Sequence, residues 1–139
     1  ADGCNCDLFT DAEGALEALL FSWETDSLFY VEFLAVNPEM RGRSLGSEII
    51  KKIINEADSR LVILEIDPPV DEISIRRLKF YERLGFVKND FQYIHPSYHT
   101  GDKAHPHELV ILTHGRTASG AELEMFMELM NGRVLSFVD

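Results

Sequence analysis

The stretch that decides the fold runs from Val36 to Ile50 and reads VNPEMRGRSLGSEII. It connects a strongly apolar run to an amphipathic run, so it is typical of a loop between a strand and a helix. Two glycines, two arginines and two serines lie within it. Free N–H groups at a helix start attract anions, and glycine lets the backbone approach a ligand closely. The composition fits an anion site and also an ordinary capped helix with surface arginines.

The residues before this loop predict a β-meander. Three apolar segments are separated by DAEG and ETDS, which have the composition of turns. The third segment, Leu28–Val36, is apolar at both alternating sets of positions, as in a central strand covered on both faces. Glu32 is the one charged residue within it. Regular alternation would place Glu32 on the same face as Leu34 and Val36, and Phe33 on the opposite face.

The residues after the loop predict alternating helices and strands. Apolar residues at helical spacing predict a helix over 45–59, and LVILEI (Leu61–Ile66) predicts a short strand. Asp71 is the expected N-cap of a second helix that stops at Gly85. The remaining predictions are a strand over 86–94, a strand over 107–115, a helix after Gly120 and an ambiguous segment over 131–139. This order predicts an α/β fold, with helices packed on a mixed sheet, in a single domain over 1–139.

The bulk properties narrow the classes of function. The chain has 139 residues and a formal net charge of −11, which disfavours nucleic-acid binding and is compatible with a cationic substrate such as an amine. No apolar run approaches the ~20 residues of a membrane helix, so a cytoplasmic protein without a membrane partner is expected. Cys4 and Cys6 are separated by one residue, and we expect both to be reduced thiols.

The loop departs from two common phosphate-binding motifs. Its spacing matches neither G-x-x-x-x-G-K-[ST] nor G-x-G-x-x-G. It resembles instead the acyl-CoA-binding motif of the GCN5-related N-acetyltransferases (the GNAT family), [Q/R]-x-x-G-x-[G/A]. Arg41 matches the first position and Gly46 the last, whereas Ser44 stands where the middle glycine is usual.

A second stretch, SIRRLKFYERLGF (74–86), is similar to another GNAT signature, N-x-x-A-x-x-F-Y-x-x-x-G-F. The matching residues are Phe80, Tyr81, Gly85 and Phe86. Ser74 replaces the asparagine and Arg77 replaces the alanine. The resemblance covers about Cys6 to Gly115. It implies a mixed, mostly antiparallel central sheet flanked by helices, the fold of a GNAT-like acyl-CoA acyltransferase.

The resemblance also raises an expectation about the N-terminus. Members of the family usually begin with a strand and two helices before the meander, and only a few residues precede CDLF in this sequence. We therefore expect those three elements to be missing from this sequence. It would then be a fragment, or its acceptor site would be open or completed by a partner.

The resemblance assigns a set of residues to acetyl-CoA, the implied acyl donor. Leu34 and Val36 would pair their main-chain groups with the pantetheine arm, and Ser74 would contact the same arm. The loop and the first helical turn would hold the pyrophosphate, through Arg41, Gly42, Arg43, Ser44, Leu45, Gly46 and Ser47. Coenzyme A would be the product that leaves.

Two residues are candidates for proton transfer. The resemblance makes Tyr81 the acid that protonates the leaving thiolate; the alternative is a core aromatic on its helix. Glu32 is the candidate base, acting through water, because burial in an apolar strand should raise its pKa; the alternative is a structural carboxylate. The implied reaction is direct transfer of acetyl to a primary amine of a small molecule or peptide.

Other features leave alternatives open. The five histidines, His95, His99, His105, His107 and His114, do not have the spacing of a zinc motif, so no metal is predicted. The segment from Leu123 to Met130 fits a packed helix or a homodimer contact. The alternative to an N-acetyltransferase is a non-catalytic acyl-CoA-binding module, or a partner-dependent subunit, with the same fold.

Overall fold

The computed structural model describes residues 4–37, 45–90, 93–95 and 107–130. The chain divides into a first unit over 1–64 and a second unit over 65–139. Predictions that concern 38–44, 96–106 and 131–139 lie outside the described residues. The single domain expected from the sequence stays a prediction.

The first unit contains the predicted meander of three antiparallel strands, β1 (Cys4–Thr10), β2 (Leu16–Glu24) and β3 (Leu28–Val36). The turns form as their composition indicates. The Asp11 carboxylate accepts hydrogen bonds from the N–H groups of Glu13 and Ala15, both at 2.9 Å. The Thr25 hydroxyl accepts from the N–H of Leu28 at 3.0 Å. Short polar side chains thus fix both turns, and the meander prediction is confirmed.

A helix and a parallel strand complete the first unit. α1 (Leu45–Ala57) buries Ile49, Ile53 and Ala57 of the expected apolar stripe, and also Ile50. It ends two residues before the predicted bound. Arg60 accounts for that end, because its guanidinium donates to the carbonyls of Glu56 and Ala57, both at 3.1 Å. β4 (Leu61–Ile66) then pairs in parallel with β3, from Leu28 with Leu61 to Val31 with Leu64.

The second unit begins with α2 (Glu72–Arg83), whose N-cap is Asp71 as predicted. Three strands follow, β5 (Phe86–Lys88), β6 (Tyr93–His95) and β7 (His107–His114), and both β5 and β6 pair with β7 in antiparallel fashion. α3 (Gly120–Leu129) starts at Ser119, whose side chain accepts from the N–H of Glu122. Parallel and antiparallel pairs and helices confirm the predicted mixed α/β class.

The continuous strand predicted over 86–94 is wrong. β5 stops at Lys88, and Asn89 is buried with its amide group fully engaged. Its Nδ2 donates to the hydroxyl of Thr113 at 2.9 Å, and its Oδ1 accepts from the N–H of Ala118 at 2.7 Å. The Asn89 side chain therefore stabilises the turn after β7, and a separate strand, β6, is described from Tyr93. No helix among the described residues is long and apolar enough to cross a membrane.

Candidate functional site

β3 contains a β-bulge at Glu32. Phe33 pairs with Phe21 of β2, and Val31 pairs with Ser22, so the register between β2 and β3 skips Glu32. A bulge of this kind adds one residue to one strand, which reverses the alternation of every residue that follows. The second half of β3 is therefore oriented differently from what regular alternation predicts.

Two hydrogen bonds to the neighbouring strand reveal the reversal in the main chain. Before the bulge, the carbonyl of Leu28 faces the β2 side and accepts from the N–H of Thr25 at 2.9 Å. After the bulge, the N–H of Asn37 faces β2 and donates to the carbonyl of Glu17 at 2.8 Å. Main-chain groups alternate in direction along a strand. The main-chain N–H and C=O groups of even-numbered residues thus face β2 before the bulge, and those of odd-numbered residues face it afterwards.

This reversal turns the main-chain groups of Leu34 and Val36 away from β2. On the side of β3 that faces away from β2, the hydrogen-bond ladder with β4 ends at Val31 within the described residues. The N–H and C=O groups of Leu34 and Val36 thus point beyond the end of that ladder. A strand edge of this kind can pair with an extended ligand, as in β-augmentation. The geometry suits the role that the sequence predicts for these two residues.

Side chains also change faces at the bulge. The rings of Phe21 and Phe33 lie 6.4 Å apart, so Phe33 shares the face of Trp23 and Glu32. Leu34 pairs with Leu20, on the opposite face. The expectation that Leu34 and Val36 share a face with Glu32 is therefore wrong. The sequence could not indicate the bulge, because β3 is apolar on both faces and its pattern would look the same with or without an added residue.

The Glu32 carboxyl is half-buried, and its Oε1 accepts a hydrogen bond from Nε1 of Trp23 at 3.2 Å. Desolvation raises the pKa of Glu32 above its ordinary value, and the Trp23 hydrogen bond opposes part of that rise. The direction agrees with the sequence expectation. A carboxylate whose pKa is raised toward neutrality is a better general base than an exposed one.

Tyr81 lies on α2 in the second unit, as the motif predicts. Its ring packs against Phe80 and Phe86, with centroid distances of 5.1 and 5.5 Å, and Phe86 in turn packs against His114 at 5.3 Å. Burial raises the pKa of the phenol, and the nearby Arg77 lowers it to a smaller extent. Tyr81 is thus protonated at neutral pH, which an acid requires, and aromatic neighbours fix its ring.

Ser74 is engaged locally at the start of α2. Its N–H donates to the Asp71 carboxylate at 2.8 Å, and its hydroxyl accepts from the N–H groups of Val70 and Asp71, both at 3.1 Å. Asp71 and Ser74 thus form a capping box. The hydrogen bonds that the Ser74 N–H and hydroxyl donate to the Asp71 carboxylate lower the pKa of Asp71. The role of Ser74 toward pantetheine stays a prediction.

The predicted pyrophosphate loop is described only in part. Leu45, Gly46 and Ser47 form the first turn of α1, where N–H groups lack an intrahelical partner. The other four predicted residues, Arg41, Gly42, Arg43 and Ser44, lie outside the described residues. The same is true of His99 and His105, and among the residues that the structure does describe, no cluster of metal ligands occurs.

A family model described as an acetyltransferase (GNAT) domain matches residues 8–88, more than half of the chain. The chain belongs to the GNAT family. The match includes most of the meander, α1, β4 and α2, and therefore both stretches on which the resemblance was based.

Individual relatives agree with this family. The GNAT chain is 35% identical over 83 residues to YjbC, a candidate acetyltransferase of Bacillus subtilis (strain 168). The matched part is 58% of the chain and 41% of YjbC, so the chain corresponds to less than half of that protein.

Solved structures confirm the mixed sheet with helices. A candidate GNAT acetyltransferase from Bacteroides thetaiotaomicron has a TM-score of 0.80 and 25% identity, covering 96% of the chain and 73% of that structure. A Bacillus subtilis acetyltransferase solved in complex with CoA has a TM-score of 0.59 and 13% identity, covering 83% of the chain and 78% of that structure. The second likeness concerns the fold alone.

Proposed function

We propose that this GNAT chain is an N-acetyltransferase that moves the acetyl group of acetyl-CoA directly onto a primary amine. The observation that carries the proposal is the bulge in β3. One added residue places a half-buried carboxyl, Glu32, two positions before Leu34, and the main-chain groups of Leu34 and Val36 point away from β2. An extended thioester arm paired with Leu34 and Val36 would lie close to that carboxyl.

The proposed reaction follows from these groups. The amine attacks the thioester carbonyl, Glu32 accepts its proton through a water molecule, and the carbon–sulfur bond then breaks. Tyr81 donates its phenolic proton to the leaving thiolate and regains a proton from solvent. Because the amine attacks directly, no covalent enzyme intermediate forms. The acceptor is the primary amine of a small molecule or of a peptide.

The donor would be held at two points. The main chain of Leu34 and Val36 pairs with the amides of the pantetheine arm. The first turn of α1 would bind the pyrophosphate, and so would Arg41 and Arg43, which lie outside the described residues. The CoA complex of the Bacillus subtilis acetyltransferase, which has the same fold, supports a CoA thioester as the donor.

Tyr81→Phe tests the proposal most directly. The phenylalanine keeps the ring that packs on Phe80 and Phe86 but removes the proton donor. We expect turnover to fall by roughly 10²-fold, the usual contribution of a general acid. The measurement is release of free thiol from acetyl-CoA over a panel of primary amines, with the melting temperature and the acetyl-CoA thermal shift as controls for folding and donor binding.

The outcomes separate the competing interpretations. Unchanged turnover in Tyr81→Phe would show that Tyr81 is not the acid. Stabilisation of the wild-type chain by acetyl-CoA without thiol release for any amine would favour the non-catalytic acyl-CoA-binding module. Absence of any thermal shift with acetyl-CoA would contradict donor binding itself.

A further inference from the structure

The first unit contains a cleft of about 360 Å³ between α1 and the meander. Its floor is apolar and consists of Phe9, Leu20, Phe29, Ile49 and Ile53. Its polar lining consists of Asn5, Asp7, Ser22, Glu24, Lys52 and Glu56. A volume of this size is within the range of small-molecule sites. Among the described residues that line the cleft, none is assigned to acyl transfer.

Ser22 is the polar group in the floor of this cleft. It is fully buried, and its hydroxyl oxygen has no hydrogen-bond partner among the residues that the structure describes. Alternation along β2 places it on the same face as Leu20, and both residues line the cleft with Ile49 and Ile53 of α1. Buried polar groups nearly always have a partner. The hydroxyl oxygen of Ser22 is therefore free, among the described residues, to accept a hydrogen bond from a polar ligand atom.

The carboxylates that line the cleft differ in their partners. Glu24 forms an ion pair with Arg60 at 2.6 Å, and Glu56 faces Lys52 at 3.8 Å. Lys52 is also held over the ring of Phe9, 5.6 Å from its centroid. For Asp7, the described part of the chain contains no ion pair or hydrogen-bond partner of the carboxylate. The cleft thus has a surplus negative charge beside an apolar floor.

The Asp7 carboxylate and the Ser22 hydroxyl can both accept hydrogen bonds from one ligand group. Asp7 pairs with Leu20, and Asn5 pairs with Ser22, so Asp7 and Ser22 are diagonal neighbours on one face of the sheet. Diagonal neighbours lie roughly 7–8 Å apart. A ligand group between Asp7 and Ser22 can bridge that distance by a hydrogen bond to each. An ammonium carries three N–H donors, so it can donate to a carboxylate and to a hydroxyl oxygen at once.

We propose that this cleft is a second ligand site, which binds a small organic cation made of a primary ammonium and a short apolar body. The ammonium pairs with Asp7 and Ser22, and the apolar body lies on the floor between the meander and α1. This site goes beyond the proposed acyl transfer, because none of the residues that line it belongs to the turn of α1 assigned to the donor. A ligand there does not compete with acetyl-CoA.

The test is a titration of the ¹⁵N-labelled chain with phenethylammonium chloride at pH 7.5, followed by chemical shifts. We expect saturable shifts in β1, β2 and α1, with the same dissociation constant in the presence of saturating coenzyme A, which would fill the donor site without acetylating the amine. Phenethyl alcohol has the same apolar body without the charge, and we expect no saturable binding. Equal binding of the alcohol, or displacement of the cation by coenzyme A, would overturn the proposal.

Two variants locate the ligand. Asp7→Asn should weaken binding by about tenfold or more, because a charge-assisted hydrogen bond is lost. Ser22→Ala should weaken binding several-fold while leaving the melting temperature equal or higher, since the hydroxyl has no described partner to lose. The control Glu13→Gln removes one exposed carboxylate in the turn before β2 and should bind the cation like wild type. Unaltered affinity in Asp7→Asn would also overturn the proposal.

Discussion

Two neighbouring influences act on the Glu32 carboxyl in opposite directions. Its half-buried position disfavours the charged form, whereas the indole N–H of Trp23 favours it. The first influence is the larger, so the pKa of Glu32 is raised above its ordinary value of 4.5. For the fold, the consequence is a loss of stability as pH rises from about 4.5 through the folded-state pKa, since the native state holds the proton more tightly there.

Glu32→Gln separates the catalytic role from this effect on stability. The glutamine can still accept from Trp23, but it has neither a charge to desolvate nor basicity. We expect thiol release to fall by about 10²-fold or more. We also expect stability at pH 8 to be equal or higher than in wild type, with the difference vanishing below pH 4.5. Urea unfolding across this pH range and thiol release measure both effects.

The matched control for that change is Glu13→Gln, which replaces an exposed carboxylate in the turn between β1 and β2. It should alter neither thiol release nor the pH dependence of stability. If Glu32→Gln keeps full activity, Glu32 is a structural carboxylate, which is the alternative that the sequence left open.

Single residues differed in how far the sequence could define them. Tyr81 was found because its motif fixes its place on a helix, and Asp71 because the chemistry of an N-cap is local. The engagement of Ser74 in the capping box could not be deduced, because its hydroxyl had a competing assignment in the same motif. Ser22 gave no signal, since a buried and an exposed serine look alike in a sequence.

Elements were predicted well where local chemistry defines their ends. β3 has the predicted bounds, and α1 begins as expected because its apolar stripe has a helical period. The bulge in β3 and the interruption at Asn89 were missed. Both depend on pairing with a strand elsewhere in the chain, with β2 for the bulge and with β7 for Asn89. Register between strands is a non-local property.

The end of α2 depends on the backbone conformation of Gly85. Gly85 has a φ of +95°, and a Cβ atom there would lie 3.0 Å from Nε2 of His114. We expect Gly85→Ala to destabilise the chain by more than the roughly 1–2 kcal/mol of a left-handed conformation alone. Urea unfolding of the purified variant measures this change in the free energy of unfolding.

Two other glycines provide controls for Gly85→Ala. Gly14 has a φ of +87° with nothing within 4 Å of its would-be Cβ, so Gly14→Ala isolates the conformational contribution. Gly120, at the start of α3, has neither restriction, and Gly120→Ala should be neutral or slightly stabilising. Equal losses for Gly85→Ala and Gly14→Ala would show that the contact with His114 contributes nothing.

At the scale of the whole molecule, the dominant property is the net charge of −11. Like charges repel one another over the distances of a folded domain and favour the unfolded chain, where they lie further apart. Raising NaCl from 20 to 200 mM shortens the Debye length from about 20 to about 7 Å. We therefore expect the melting temperature at pH 7.5 to rise by a few degrees.

The same titration at pH 5 is the control, because that pH is close to the isoelectric point of about 4.8. With little net charge to screen, added NaCl should leave the melting temperature nearly unchanged. An equal rise at both pH values would contradict charge repulsion as the cause and favour a general salt effect.

The family was the most predictable property of the whole chain. Two short motifs carried it, and the match over residues 8–88 bears it out. The acceptor was not predictable from either motif, because both motifs concern the acyl donor and the leaving thiolate.

The bulge at Glu32 has a consequence for how this protein tolerates mutation. A substitution in β3 changes one side chain, but a one-residue insertion or deletion there reverses the direction in which every later residue of the strand faces. It would remove or displace the carboxyl and at once return Leu34 and Val36 to the β2 side. In an evolving population, we therefore expect changes of length to be excluded from β3 more strictly than substitutions.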